Sequence, residues 1–515
     1  MERHAVVIGA SIAGLLAARV LSGHFERVTV LEKDALPGPD AARRSVPQGN
    51  HIHVIWSGGA GAIERLLPGL WEEMQARGAI AFDNSRDMCW FHRGVWKLRT
   101  TTGLVMHSQS RPLLEHRIRE RVLALGNVRL VSEATVLGPL AADDGRRIGG
   151  VRMRMGGDDA PSQDIVAELV VDASGRGSRT PSWLEGMGFE APRESRVDID
   201  LKYASRLYEV PAHSQRDWQV MAVYGGPPDA RRAGVIFPIE GNRWIVTLSG
   251  CLGDHPGGDE QGFLDFARGL DRPDLFEAIR EARPLSPIST YGFASEVRRH
   301  YESLDHLPGG LVVIGDASCG FNPLYGQGVT VCALEAEALD RCLRARDAGA
   351  VPDTDFARRY FRSAARVVGD AWLVATATDL LFPAARGRRP PGLGVFGWYN
   401  RQVLELCACS PQVLRRFLEV LHFLRRPGAL FGPRTLIAAC RWSLGARPAG
   451  DSAAWTATRP PERLRKQTRP LPMRLPLGGR SGLRIRVHST APGRGSTFQI
   501  AGIRLVLKKN PSRSP

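Results

Sequence analysis

The chain opens on a short apolar run, His4-Ala-Val-Val-Ile-Gly9, that ends in a glycine turn. Such a run reads as a buried strand. Residues 13–21 carry a helical pattern and residues 27–32 form a second apolar strand, predicting the β-α-β unit that opens a parallel sheet. A helix from about residue 60, another over 111–125 and a strand over 128–136 follow. Residues 168–172 are again an apolar strand. Between about 202 and 252 the pattern changes to alternation, over 203–210, 219–224 and 234–239, then over 243–249 after the turn signal Glu240-Gly-Asn242. That is the signature of an antiparallel sheet with two different faces. Residues 311–316 return to a buried strand, and a long helix is predicted over 328–346. Residues 356–382 and 403–424 have amphipathic, helical spacing, with Pro411 interrupting the second. After residue 449 periodicity largely disappears.

Composition narrows the class. With 43% hydrophobic and 24% charged residues the chain reads as soluble and globular, and 515 residues allow more than one domain. The net charge of +16 points to nucleic acid only until it is located. Residues 452–515 hold fourteen Lys/Arg against Glu462, so the remaining 451 residues carry only +3. A nucleic-acid footprint is a stripe on a folded face; this charge sits in a terminal segment rich in Pro, Gly and Arg. The eight cysteines form no paired C-x-x-C set, which argues against a metal site and for buried, reduced thiols. No signal peptide precedes the first strand and no apolar run reaches about 18 residues, so a cytoplasmic protein without a transmembrane segment is expected.

Gly9-Ala-Ser11-Ile-Ala13-Gly14 joins the first strand to the first helix. Glycines there permit a tight turn and close helix packing, and the helix N-terminus offers N–H groups to a pyrophosphate. Ser11 replaces the middle glycine of the usual pattern. Glu32 closes the second strand, followed by Lys33, and a carboxylate at that point accepts from ribose hydroxyls. A second constellation follows the late strand: Gly315-Asp316, then Pro323-Leu-Tyr-Gly326-Gln327-Gly328 leading into a helix. Asp316 stands where sugar hydroxyls are bound, and the Gly/Pro loop lets a flat ring lie against backbone.

Three segments, residues 9–32, Val171-Asp172-Ala-Ser-Gly175-Arg176-Gly-Ser, and residues 315–328, make the chain resemble the group A FAD-dependent monooxygenases, the aromatic-hydroxylase class. The resemblance spans roughly residues 4–440. It implies a discontinuous Rossmann-like FAD-binding domain over 1–185 and 301–346, with an antiparallel substrate sheet over 186–300. A helical region over 347–450 and a disordered basic tail over 451–515 complete the expected architecture. It further implies Glu32 on the adenosine ribose, Arg43 or Arg44 on the flavin, Arg111 near the pyrophosphate, Val136 at adenine through its backbone, and Asp172 and Asp316 as anchors. Segments such as Val46-Pro-Gln-Gly-Asn-His51-Ile-His53-Val-Ile-Trp56, residues 238–250 and Asp370-Ala-Trp372 are similar to the alkene epoxidases of polyether-antibiotic pathways. Asn50 stands where that group often has Arg, and the tail after about 450 looks foreign to it.

The resemblance implies NAD(P)H as reductant, O2 as co-substrate and a flavin C4a-hydroperoxide as oxidant. An alkene needs no base to accept its electrophilic oxygen, whereas a phenol benefits from one. His51 is the candidate for a catalytic contact; packing at the loop-to-helix junction is the alternative. Trp56, Phe237, Trp244 and Trp372 are candidates to line the substrate pocket, with core packing as the competing role. The expected function is oxygen insertion into a lipophilic polyketide or terpenoid, most simply alkene epoxidation. A phenol hydroxylase, an isoprenoid reductase or dehydrogenase, and reduction of the flavin by a separate reductase remain open.

Overall fold

The computed structural model describes residues 3–38, 43, 46–143, 145–157, 159–212, 216–445, 496–500 and 503–507. Arg44 and most of the 451–515 tail lie outside them; within the tail, strands Ser496–Ile500 and Ile503–Leu507 pair antiparallel.

The opening apolar runs become a five-stranded parallel sheet, ordered Leu311–Val313, Leu169–Asp172, His4–Ile8, Arg27–Leu31 and Val128–Val131. Strands buried on both faces need no alternation, which is why they read as continuous apolar runs. The helices Ile12–Leu21, Arg111–Leu123 and Gly328–Asp347 pack on this sheet to form the largest core. A three-stranded antiparallel sheet, Ser162–Val166, Ile148–Met155 and Ala134–Ala141, extends from it.

The alternating segments form the large second sheet. Its main path runs Cys319–Gly320, Ser289–Arg299, Glu194–Glu209, Arg243–Cys251, Ala230–Ile239, Val220–Gly226, Met88–His92 and Val95–Trp96. The last two strands come from ahead of residue 186. Met88–His92 pairs parallel with Val220–Gly226, so the sheet draws on both sides of the sequence boundary. The turn at Glu240-Gly241-Asn242 has Gly241 at φ 74° and Asn242 at φ 54°, the left-handed region that Gly and Asn tolerate. Alternation gives the sheet two faces. Phe237, Ile245 and Ala222 face one way, whereas Ile236, Trp244 and Val246 face the other, against helices Glu260–Arg268 and Asp274–Ile279.

The first face is capped by Leu393–Leu406, Pro411–Leu421 and Pro433–Ser443. Pro411 splits the amphipathic stretch: it occupies the first turn of a helix capped by Ser410 Oγ, which accepts from Val413 N at 3.3 Å. Proline is tolerated there because its missing N–H would have no helical partner. No helix among the described residues is long and apolar enough to cross a membrane.

His422 anchors this cap. Its Nδ1 accepts from Ser57 N at 3.3 Å and lies 2.8 Å from Ser57 Oγ, while Nε2 lies 2.9 Å from the Asn84 amide. Burial pushes the ring down from 6.5 to about 3. A folded value below the unfolded one contributes stability that is full above about pH 6.5 and erodes as pH falls towards 3. His422→Gln is therefore expected to cost about 1–3 kcal/mol at pH 7. In urea denaturation, the gap to the wild type should narrow as pH is lowered to 4; a constant gap would refute this role.

Candidate functional site

At the carboxyl ends of the parallel strands lies a cavity of about 620 Å³. It is lined from one end to the other by both sequence constellations: Gly9, Ser11, Ala13, Glu32 and Lys33, then Arg111 and Gly175, then Asp316, Pro323, Gly326, Gln327 and Gly328. Arg43, His51 and Val136 also reach it. The sheet closes it with Tyr203, Thr247, Tyr291 and Phe293.

Two glycines are required by close approach. A Cβ on Gly9, at φ +100°, would stand 2.6 Å from the Ala173 carbonyl oxygen, and one on Gly326, at φ +62°, 2.7 Å from Val54 Cβ. Gly14 does not line the cavity. A Cβ there would collide with the Gly9 carbonyl, so its role is packing of helix on strand.

The Glu32 end is organised by a buried chain of alternating charges. Glu32 Oε2 accepts from Ala10 N at 2.8 Å and from Arg43 Nη1 at 2.7 Å. Arg43 Nε lies 3.0 Å from Glu115 Oε1, an ion-pair contact. Glu115 Oε2 accepts from Arg111 Nη2 at 2.9 Å and from Ser11 Oγ at 3.0 Å. Arg111 Nη2 also donates to Ser11 Oγ at 2.8 Å. Burial raises the Glu115 carboxyl, but Arg111, Arg43 and Ser11 together hold it below its usual value. Ser11 is thus a polar member of the site and not merely a small substitute for glycine. The sequence reading missed Glu115; its i,i+4 spacing from Arg111 was the available signal.

The middle segment turns on Asp172, which is fully buried and does not reach the cavity. It accepts from Ser174 N at 2.9 Å, Ser178 Oγ at 2.5 Å and Thr180 Oγ1 at 2.6 Å, holding the turn that presents Gly175 and Arg176. Arg176 spans the cavity wall, its guanidinium 4.0 Å from the Phe293 ring centre. Asp316 is raised by burial and pulled back by the Arg176 and Arg111 charges. Buried Glu335 accepts from Gly315 N at 2.9 Å and from Ser318 Oγ at 3.1 Å, which fixes the Asp316 turn. Asn322 ties the ring loop to two further buried carboxylates: its N donates to Glu296 Oε1 at 3.0 Å and its Nδ2 to Asp379 Oδ2 at 2.8 Å.

His51 stands between the loop and the sheet. Its Nδ1 lies 2.6 Å from Ser205 Oγ, which lies 2.6 Å from Thr247 Oγ1, while Nε2 is buried without a partner. The two hydroxyls and Nδ1 form one chain of hydrogen bonds, which fixes the ring and leaves Nε2 as its unpartnered atom. Burial lowers the ring to about 4, so it is neutral at pH 7. His53 accepts no comparable role: it bonds the His51 carbonyl at 3.0 Å.

The four aromatic candidates lie elsewhere. Trp244 packs on the opposite face of the sheet, stacked on Trp218. Phe237 and Trp56 pack in the core beneath the cap, with Trp56 Nε1 donating to the Tyr325 carbonyl at 3.1 Å. Trp372 packs beside Val368 and Phe321. Large apolar side chains are the first to be consumed by core packing; Tyr203 and Tyr291 take the wall positions instead. None of the eight cysteines is in a disulfide, and among the described residues no group of ligands could hold a metal ion.

Arg43→Leu should leave two buried carboxylates facing one another and cost about 3–5 kcal/mol. Equilibrium denaturation checks this, and a loss below about 1 kcal/mol would show that solvent reaches the pair.

A family model described as an NAD(P)-binding Rossmann-like domain matches residues 7–66. Protein Rv3254 of Mycobacterium tuberculosis (strain ATCC 25618 / H37Rv) is 35% identical over 402 residues, covering 76% of this chain and 84% of that protein. A flavoprotein/dehydrogenase from Cytophaga hutchinsonii shares the fold at a TM-score of 0.61 and 14% identity, over 87% of this chain and 100% of that one. p-Nitrophenol 4-monooxygenase PnpA from Pseudomonas putida DLL-E4 does so at 0.58 and 17%, over 82% and 99%.

Proposed function

This chain belongs to the same family as Protein Rv3254 of Mycobacterium tuberculosis, and we propose that it is an FAD-dependent monooxygenase acting on a lipophilic natural product. The observation that carries the reading is the single cavity joining Glu32, Asp316 and the Pro323–Gly328 loop to the sheet. Its donor set fits FAD in order. Glu32 suits ribose hydroxyls, and Ser11 with Arg111 suits the pyrophosphate at the N-terminus of helix Ile12–Leu21. Asp316 suits the ribityl hydroxyls. The loop leads into the 20-residue helix Gly328–Asp347, whose N-terminus would face the ring carbonyls. When bound and reduced by NAD(P)H, the flavin supplies the oxygen-transfer chemistry; the residues of this chain bind, orient and keep water out.

His51 bears on which substrate is oxidised. An imidazole held near 4 by burial is a weak base and a poor acceptor of a phenol proton. That favours an alkene, which needs no base, over a phenol. The epoxidase reading rests on this point and on the sequence likeness at residues 46–56.

The purified protein should show a flavin absorption spectrum and, with NAD(P)H in air and a polyene, give a product one oxygen atom heavier. Glu32→Gln and Asp316→Asn should each weaken FAD binding by about tenfold or more, for loss of a charge-assisted hydrogen bond. His51→Phe should keep the flavin and slow oxygenation by about 10- to 100-fold. Flavin-loaded protein that consumes NAD(P)H and saturates the polyene without adding oxygen would transfer the assignment to a reductase.

A further inference from the structure

Cross-strand register places a row of side chains on the cavity-facing side of the large sheet: Tyr291, Tyr203, Ser249, Ala233, Tyr224 and His92. Trp90 stands beside His92 on the same face, the two rings parallel with centres 5.7 Å apart. Both meet Tyr224 edge-on. Trp90 Nε1, His92 Nδ1 and Arg93 Nη1 are all buried without a hydrogen-bond partner. Arg93 Nη2 is held by the Pro227 carbonyl at 2.6 Å, and the neighbouring buried Lys97 gives its Nζ to the Leu404 carbonyl at 2.6 Å.

The charges facing this group are mostly of one sign. His92 feels Lys97 and Arg93; Arg93 feels Arg401, Tyr325 and Glu405. Glu405 is already committed, accepting from Arg401 Nε at 2.9 Å and from Trp442 Nε1 at 2.9 Å. The cluster therefore combines a buried guanidinium and an indole N–H with no free carboxylate. Buried donors of this kind are normally satisfied, and a buried cation is normally paired.

We propose that Trp90, His92 and Arg93 recognise an oxyanion, a carboxylate at the far end of the lipophilic substrate. The inference rests on the substrate reading above and deepens it. Tyr203, at the cavity, and His92 are four strands apart along the row, about 19 Å at the usual interstrand spacing. A molecule bridging them is an extended chain with an acidic terminus, not a compact phenol. Both ends lie on one face of the same sheet.

The test uses the full-length flavoprotein, titrated with α-linolenate and with its methyl ester, reading tryptophan fluorescence and the flavin spectrum. The acid should bind about tenfold or more tighter than the ester, for one charge-assisted contact. Arg93→Gln should bring the acid to within about twofold of the ester, and Trp90→Phe, which keeps an aromatic ring but removes the donor, should weaken the acid by roughly threefold. Equal affinity of acid and ester, binding of neither, or a preference that survives both substitutions overturns the oxyanion site. The same spectra report whether the wild type holds flavin, so failure of the cofactor reading is seen separately.

Discussion

Five parallel strands must end along one edge, and everything else in this protein is arranged on that edge. The strand Leu169–Asp172 pairs with both His4–Ile8 and Leu311–Val313, so turns from three distant parts of the chain meet there. Parallel pairing cannot be made by tight hairpins; it needs long crossovers. One of those crossovers is the large antiparallel sheet itself, which is why the wall opposite the cofactor loop is built from sequence lying between the two halves of the site.

Polar groups drawn into that edge are fixed in pairs and chains. Glu32, Arg43, Glu115, Arg111 and Ser11 alternate donor and acceptor, so burial leaves the carboxylates compensated. Glu335 and Asn322 play the same part under the Asp316 turn and the ring loop. The carboxyl of Glu335, raised by burial to about 8, gives up less by being enclosed because it holds two donors. A rigid frame of this kind places side chains without relying on the ligand to order them.

Much of this was legible in the sequence because it depends on backbone. Glycine turns, buried strands and the carboxylate closing a strand have fixed spacing, so Gly9, Glu32, Asp316 and Gly326 could be placed by pattern. The alternation at 203–249 likewise predicted a two-faced sheet, but not which face met the cavity. That depends on packing, and Trp244 fell on the far side while Tyr203 and Thr247 fell on the near one. Asp172 was singled out for its position in a motif, whereas its buried carboxylate is spent on its own turn. The strand Met88–His92 was invisible as part of the second sheet because its partner lies over a hundred residues away. The three unpartnered nitrogens at Trp90, His92 and Arg93 could not be grouped without that pairing.

The central claim is that one cavity, assembled from both halves of the sequence, holds FAD in a single direction. A crystal structure of the FAD complex tests it most directly. The account predicts adenosine at Glu32 and Val136, the pyrophosphate at Ser11 and Arg111, and the ring against Pro323–Gly328 facing His51 and Tyr203. FAD bound in the reverse sense, or outside this cavity, would contradict it.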